Sequence, residues 1–449
     1  MGCTMNSRAD RDSEEVQKTS TTGKRSLIYR AMLMVALYWC SLYIYVPHTA
    51  IFLKDLSVGQ GMIGLVAGAY GIGQIILRPP LGMIVDIKGR TKISLLIGVM
   101  TPAVASLIRI LNPSGGGFFV ANIVSSVGAA MWIVFIIFFA QFLGKGAIQQ
   151  ATALLMGANA FGRLIGFGCS TLFYHRFGMS FLCWLSVIAA AGATALALSF
   201  VLNKYSGKDA SVEEVKGFSN GERSGGNLHS MSSQAELRPV KLKPRDFIPL
   251  FTNKRLLFFS FLSIMQAGVV NATVNNFDTQ RVNEMSHNSN LVGLLTVFFI
   301  IIQMTASMVS STYRFRRHGA KVWLPVCLAA ISIYCFISPS LNSVAGLFLL
   351  QILSGFFAGA ITSFSVQEGT KEIPEYMHTT AMGVIQSLIA VGLTLIPMLG
   401  GWIADRTGRF GPAYYAIGGV AVIFLILSIW GTRTEKLDTR NPFPNINGS

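Results

Sequence analysis

The sequence predicts an all-α membrane protein built from two pseudo-symmetric bundles of six helices. Three observations predict it: charge is sparse, apolar residues come in blocks long enough to cross a bilayer, and one long polar loop divides those blocks six and six. Of 449 residues, 52% are hydrophobic and 12% are charged, against about 25% charged in a typical soluble domain. The 20 acidic residues fall nearly all in short polar stretches, Glu14, Glu213, Glu236 and Glu435 among them. Windows such as Ile93 to Leu111 and Tyr415 to Trp430 hold no acid at all.

A helix needs about 20 apolar residues to span the hydrocarbon core. Twelve segments qualify: 27–48, 60–81, 92–112, 117–143, 149–173, 179–203, 255–279, 289–312, 321–338, 341–366, 377–402 and 411–432. Backbone groups in lipid must be paired within the segment, so these are predicted as helices. The organisation expected is a tail (1–26), an N-terminal bundle (27–203), a linker (204–254), a C-terminal bundle (255–432) and a second tail (433–449). The linker is rich in Ser, Gly, Lys and Glu and reads as flexible. Its end, Lys243 to Phe251, mixes basic and large apolar residues and is expected to lie along the membrane surface.

The net charge of +16 does not indicate nucleic acid, because the basic residues flank apolar segments instead of covering one soluble face. In a membrane protein that pattern reports orientation. With both termini in the cytoplasm, the basic residues on the opposite side are Lys54, Arg176, Arg281, Arg406 and Arg409, and those within spans are Arg78, Arg109 and Arg163. The location expected is the cell membrane, plasma or inner. Of the six cysteines, five lie in apolar stretches and none forms a CxxC pair, so they read as small core residues, not metal ligands. Asn6 stands where an N-myristoylation pattern wants Ser or Thr.

After the second segment comes Gly82-Met-Ile-Val-Asp86-Ile-Lys88-Gly89-Arg90-Thr-Lys92. Gly82 permits close helix contact and Gly89 a tight turn. Asp86 suits a neighbouring helix N-terminus, and Arg90 suits the anionic inner leaflet. The stretch resembles the loop signature G-x-x-x-D-(R/K)-x-G-R-(R/K) of the major facilitator superfamily through Gly82, Asp86, Gly89 and Arg90; Ile87 and Thr91 depart from it. A second copy at Thr312 to Lys321 keeps Gly319 but has Arg316 in place of the acid. The halves also repeat weakly, Asn122-Ile-Val-Ser-Ser against Gln351-Ile-Leu-Ser-Gly, a recurrent transporter plan. The resemblance spans 27–432. It implies a secondary transporter working by alternating access, as symporter or antiporter, with helices 1, 4, 7 and 10 around a central cavity. It also implies a conformational latch formed by Gly82, Asp86, Gly89 and Arg90, with Asp86 meeting the start of helix 11 near Met377. Two family features are missing. Helix 4 has Asn122 where many proton-coupled members carry Arg, and helix 5 reads Gly162-Arg163-Leu-Ile-Gly166-Phe167 in place of G-P-x-x-G-G.

Polar residues in a lipid-spanning helix should face water or another helix. Tyr38, Ser41, Tyr45 and His48 share one helical face, as do Asn271, Asn275 and Asp278. Their expected role is cavity lining, against helix–helix hydrogen bonding as the alternative. The expected substrate-binding residues are Tyr38, Ser41, Tyr45, Asn122, Arg163, Asn271, Asn275 and Gln351, with His48 and Asp278 as coupling candidates. Arg163 sits near mid-membrane, where a charge costs about 2.5–3.5 kcal/mol on insertion scales. It suits an anionic substrate group, or else a structural ion pair.

No P-loop is present, which argues against ATP-driven pumping, and nothing reads as an enzyme or as needing a cofactor or metal. The expected partners of a monomeric chain are a small-molecule substrate, the lipid bilayer and, where transport is coupled, a coupling ion. The leading expectation is transport of a small organic solute, anionic on the strength of Arg163. The alternatives are efflux of amphiphilic drug-like compounds and a non-transporting receptor or scaffold on the same fold.

Overall fold

The computed structural model describes residues 26–88, 92–143, 148–202, 244–310, 312–374 and 377–433. Its elements are helical. Helix α1 covers Ser26–Asp55, α2 Gln60–Lys88 and α3 Lys92–Leu111. Helix α4 runs from Gly115 through a break at Met131 to Leu143. Residues 148–202 form one long helical stretch that reverses at Gly178, whose φ of 72° is open to glycine and strained for other residues; α5 is 148–177 and α6 is 179–202. Helix α7 is Lys254–Ser286, α8 Ser289–Ser310, α9 Tyr313–Ile337, α10 Val344–Thr370, α11 His378–Thr407 and α12 Phe410–Arg433. Several starts are capped by the residue type that satisfies orphan amides. Ser114 accepts from the Gly117 amide at 3.1 Å, and Asn253 accepts from the Leu256 amide at 2.8 Å.

Among the described residues the twelve helices follow the predicted blocks, but α1, α2 and α7 run well beyond their predicted ends at 48, 81 and 279. The extension of α7 begins with polar residues (Gln280, Arg281), so hydropathy falls while the helix continues. These side chains are buried by neighbouring helices instead of facing lipid. The segment expected on the membrane surface also differs in part. Residues 244–252 fold into a 3-10 turn and a short helix, and Phe247 and Leu250 are fully buried against Leu256, Met377 and Ala381. Ile248 and Phe251 stay exposed. The linker from 203 to 243, both tails, Gly89 and Arg90 lie outside the described residues.

Each half has its own core. Tyr38, Trp39, Trp132, Phe135 and Phe139 cluster in the first, and Leu262, Phe277, Leu324, Tyr334 and Tyr414 cluster in the second. The outer surface is apolar, with Leu172 72% exposed and Trp430 67%, as a lipid-facing belt requires. The halves meet along α2 and α11, which lie antiparallel. Gly59 and Gly61 face Asp405, Gly64 faces Gly401, Gly71 faces Ala390 and Thr394, and Gly82 faces Thr380. Small residues let two backbones approach, and the row of glycines extends that contact along the whole of α2.

Residues 26 and 433 mark one end of the bundle, here the terminal end; the other is the loop end. At the loop end the halves are tied by an ion pair between Lys54 and Glu284. Gln60 also donates to Gln280 at 2.6 Å. His48 Nε2 lies 2.9 Å from the Ser289 carbonyl; a carbonyl can only accept, so this nitrogen donates.

Candidate functional site

A cavity of about 280 Å³ lies between the halves. Helices α1, α2, α4 and α5 wall it on one side, and α7, α8, α10 and α11 on the other. The first wall carries Tyr43, Tyr45, Tyr70, Asn122 and Arg163; the second carries Gln266, Asn271, Asn275, Asn276, Gln303 and Thr362. Among the described residues that line it there is no Asp or Glu.

Arg163 reaches the cavity because Gly162 and Gly166 bring α5 onto the backbone of α1 at Ala36 and Cys40. Its guanidinium lies over the Tyr43 ring, 4.6 Å from the centroid. Its Nε is buried without a partner. Among the described residues the ion pairs are Lys54–Glu284, Arg255–Glu368 and Arg255–Glu372, so no carboxylate neutralises Arg163. A buried cation held by an aromatic face keeps its charge available to a third party.

The opposite wall is built on an irregular stretch of α7. Residues Val270–Phe277 adopt the wider π-helical winding, a feature frequent at functional sites. Asn271 donates to the carbonyls of Ala67 (3.2 Å) and Leu393 (3.0 Å), joining α7 to α2 and α11. Asn275 has no hydrogen-bond partner among the described residues and faces the cavity. Gln266 accepts from Thr362 at 3.2 Å, while Gln303 Oε1 is buried and unpaired. Unpaired amides and a naked guanidinium together form a set of donors and acceptors awaiting a ligand.

Five of the eight residues expected to bind substrate line this cavity: Tyr45, Asn122, Arg163, Asn271 and Asn275. The other three lie elsewhere. Tyr38 is fully buried and packs edge-on against Trp39 and Phe135. Ser41 bonds the Ser186 carbonyl at 2.8 Å, pairing α1 with α6. Gln351 donates to Asp278 at 2.7 Å inside the second half. The coupling candidates also sit off the cavity. His48 is fully buried, 2.8 Å from Ser170 and stacked on Tyr174. Asp278 is fully buried, though the sequence placed it toward a helix end. The π winding explains its position, because the i, i+4, i+7 spacing of a regular helix would have put 271, 275 and 278 on one face.

Asp278 is an acceptor for four neutral donors: the Tyr334 and Tyr414 hydroxyls, the Gln351 amide, and Ser338 Oγ at 3.4 Å. Arg281, one turn on, spends its guanidinium on Ser338 and the Leu341 carbonyl. This carboxylate therefore organises α7, α9, α10 and α12. Asp278→Leu leaves several buried donors unpaired, at about 1–3 kcal/mol each. It is expected to lower the melting temperature of the purified protein markedly, and Asp278→Asn much less. Equal melting of the leucine variant and wild type would remove this structural role.

Gly82 of the loop motif packs on the Thr380 backbone at the start of α11; the Asp86 side chain, Gly89 and Arg90 lie outside the described positions. Tyr43, Tyr70, Gln266, Asn276, Gln303 and Thr362 were not expected at the site. Gln303 is an isolated amide in an otherwise apolar span, and Gln266 stands ahead of Asn271 and Asn275 in α7; that was the available signal.

Two six-helix halves around a mid-bundle cavity, with an apolar exterior, are the architecture of a multi-pass membrane protein. The model of the Major Facilitator Superfamily matches residues 31–283 and 256–445, and the chain belongs to that superfamily. Multidrug resistance protein 1 of Bacillus subtilis (strain 168) is 28% identical over 198 residues, covering 43% of this chain and 46% of that protein. Monocarboxylate transporter 12-B of Danio rerio is 23% identical over 163 residues, covering 35% and 33%. The matched stretches thus span less than half of either relative. Among solved structures, the nucleoside transporter NupG is similar with a TM-score of 0.67 at 16% identity, over 91% of this chain and 100% of that one. A bacterial homologue of the human lysosomal transporter Spinster, inward-facing and unoccupied, gives 0.66 at 13%, over 93% and 99%. At these identities the likeness to the solved structures speaks for the fold.

Proposed function

We propose that the chain is a secondary active transporter of a small organic anion, with Arg163 as the anion's contact. The observation that carries this reading is an un-neutralised guanidinium in a cavity between the halves whose lining has no carboxylate. An anion arriving there offsets the cost of holding the cation in the membrane and can accept a two-pronged hydrogen bond. The amides of Asn275, Gln266 and Gln303 would hold the rest of the solute. With the termini in the cytoplasm, the loop end faces outward, and the contacts of Lys54, Gln60 and His48 close that side.

The test is flux. Purified protein in liposomes, given radiolabelled organic carboxylates, is expected to accumulate at least one of them above protein-free liposomes. Accumulation of neutral or cationic solutes alone, across a broad panel, would overturn the anionic reading. The Bacillus subtilis relative is named for multidrug resistance, and the tyrosines of the cavity wall would suit amphiphiles. Arg163 separates the two readings, since it repels the cationic members of that class.

The loop motif supports a latch between α2 and α11. Asp86→Asn is expected to slow transport several-fold while leaving the melting temperature unchanged, because a charge that biases one conformation affects populations and not the fold. Unaltered transport kinetics in that variant would remove the latch.

A further inference from the structure

Arg109 lies in α3, behind the wall of the cavity, and is 1% exposed. Its Nη2 donates to Asn122 Oδ1 at 2.6 Å and to Ser125 Oγ at 3.1 Å. Its guanidinium is stacked over the Tyr45 ring, 3.8 Å from the centroid. Nε and Nη1 are buried without partners, and none of the ion pairs among the described residues involves it. Asn122 and Tyr45 both line the cavity. Asn122 spends its own amide nitrogen on the Val66 carbonyl at 2.7 Å, so it presents a fixed surface and transmits whatever Arg109 imposes.

We propose that Arg109 is a specificity-determining residue of the anion site: a second buried cation, one side chain behind the wall, that raises the preference for anionic over neutral solutes without touching them. The proposal rests on the reading of Arg163 as the anion's contact. Two features support it. A residue needed only to brace Asn122 and Tyr45 could be a neutral amide, which avoids the cost of a charge in the membrane. The bracing cations Arg78 and Arg281 spend both terminal nitrogens on acceptors of neighbouring helices and loops, whereas Arg109 leaves Nη1 unpaired and lies over an aromatic face, which stabilises the charge and leaves its field intact.

The same arrangement occurs at Arg163 over Tyr43, so α1 carries two guanidinium–tyrosine stacks two residues apart. Two further cations are buried and used differently: Arg281, spent on Ser338 and the Leu341 carbonyl, and Arg78. Arg78 donates to the carbonyls of Gln386 (2.9 Å) and Ala129 (3.2 Å), tying α2 to α11 and α4. Asp278 belongs to the other half and is occupied by its own donors, so it cancels neither Arg109 nor Arg163.

The experiment measures the binding of aryl and alkyl carboxylates, each paired with its own carboxamide, to purified full-length protein by thermal shift and calorimetry. Each pair is nearly isosteric and differs in charge, so the ratio of the two affinities reads the field in the cavity. Wild type is expected to prefer at least one carboxylate to its amide. Arg163→Ala is expected to abolish that preference. Arg109→Gln, which keeps a donor for Asn122, is expected to reduce the ratio roughly tenfold through weakened Coulomb attraction, with the affinity for the amide unchanged. Arg109→Lys is expected to keep most of the ratio.

Should Arg109→Gln fail to fold, the paired variant Arg109→Leu with Ser125→Ala, which leaves the cavity lining in place, is expected to show the same loss. A ratio in Arg109→Gln, or in the paired variant, equal to wild type overturns this proposal and leaves Arg163 standing. An equal fall in carboxylate and amide affinity makes Arg109 a structural brace and also overturns it. No preference for any carboxylate in wild type overturns both readings together.

Discussion

Arg163→Ala is expected to weaken organic-anion binding by roughly 10- to 150-fold, the loss that follows from removing a charge-assisted hydrogen bond of about 1.5–3 kcal/mol. Stability should move the other way or not at all. The side chain has no protein anion to leave stranded, and a mid-membrane guanidinium costs about 2.5–3.5 kcal/mol on insertion scales. Loss of binding with no loss of melting temperature is therefore the signature of a cation retained for its ligand. Arg163→Lys keeps the charge but not the planar fork and is expected to fall between alanine and wild type. Uptake and thermal unfolding on the same preparations check both parts. A transported cation that binds wild type and Arg163→Ala alike would sink the assignment.

Gly64→Val is expected to stop transport in a protein that still folds. A Cβ at Gly64 would stand 3.0 Å from Gly401 Cα and closer still to the Pro397 carbonyl, and neither backbone can yield without moving α11. Overpacking of this kind costs about 1–3 kcal/mol, which corresponds to a population shift of roughly 5- to 150-fold against the closed loop end. The halves hold separate cores, so the strain should be relieved by parting them. Cysteines replacing Lys54 and Glu284, which pair across the loop end, provide the readout: bridging by a short bifunctional thiol reagent should be efficient in an otherwise wild-type background and poor with Gly64→Val added. Cross-linking and transport both unchanged would show that this contact is not limiting.

The fold was readable in the sequence because a bilayer imposes length and composition on every crossing. The blocks and the motif at Gly82 and Asp86 were visible, while of the glycines of α2 that meet α11 only Gly82 was singled out. Where reading failed, burial by protein had replaced burial by lipid. The end of α7 was lost at 279 because Gln280 and Arg281 are polar and yet enclosed. The site was readable by half for the same reason. A polar residue at mid-span must find water or a partner, and the sequence does not say which. Tyr45 and Asn275 found the cavity; Ser41 found Ser186, and Gln351 found Asp278. Arg109 was noted as a charge within a span, but its contact with Asn122 depends on how α3 lies against α4, and a single helix pattern carries no such information. Gln303 was passed over because it stands alone, and Gln266 because its spacing from Asn271 and Asn275 falls outside the i, i+4, i+7 stripe.

The wide winding of α7 has a consequence for how the second wall can change. Successive residues of a regular α-helix are turned by about 100° about the axis (360° shared among 3.6 residues). If Val270–Phe277 tightened to regular winding, its amides would rotate relative to Asp278, which four donors anchor. Asn271 and Asn275 would then come onto the face of Asp278, and Asn276 would stand about 100° away from Asn275. The lining of this wall can thus be re-addressed by a change of winding, with i→i+5 backbone bonds exchanged for i→i+4, the Asn271–Leu393 bond released and the helix beyond the stretch turning with it.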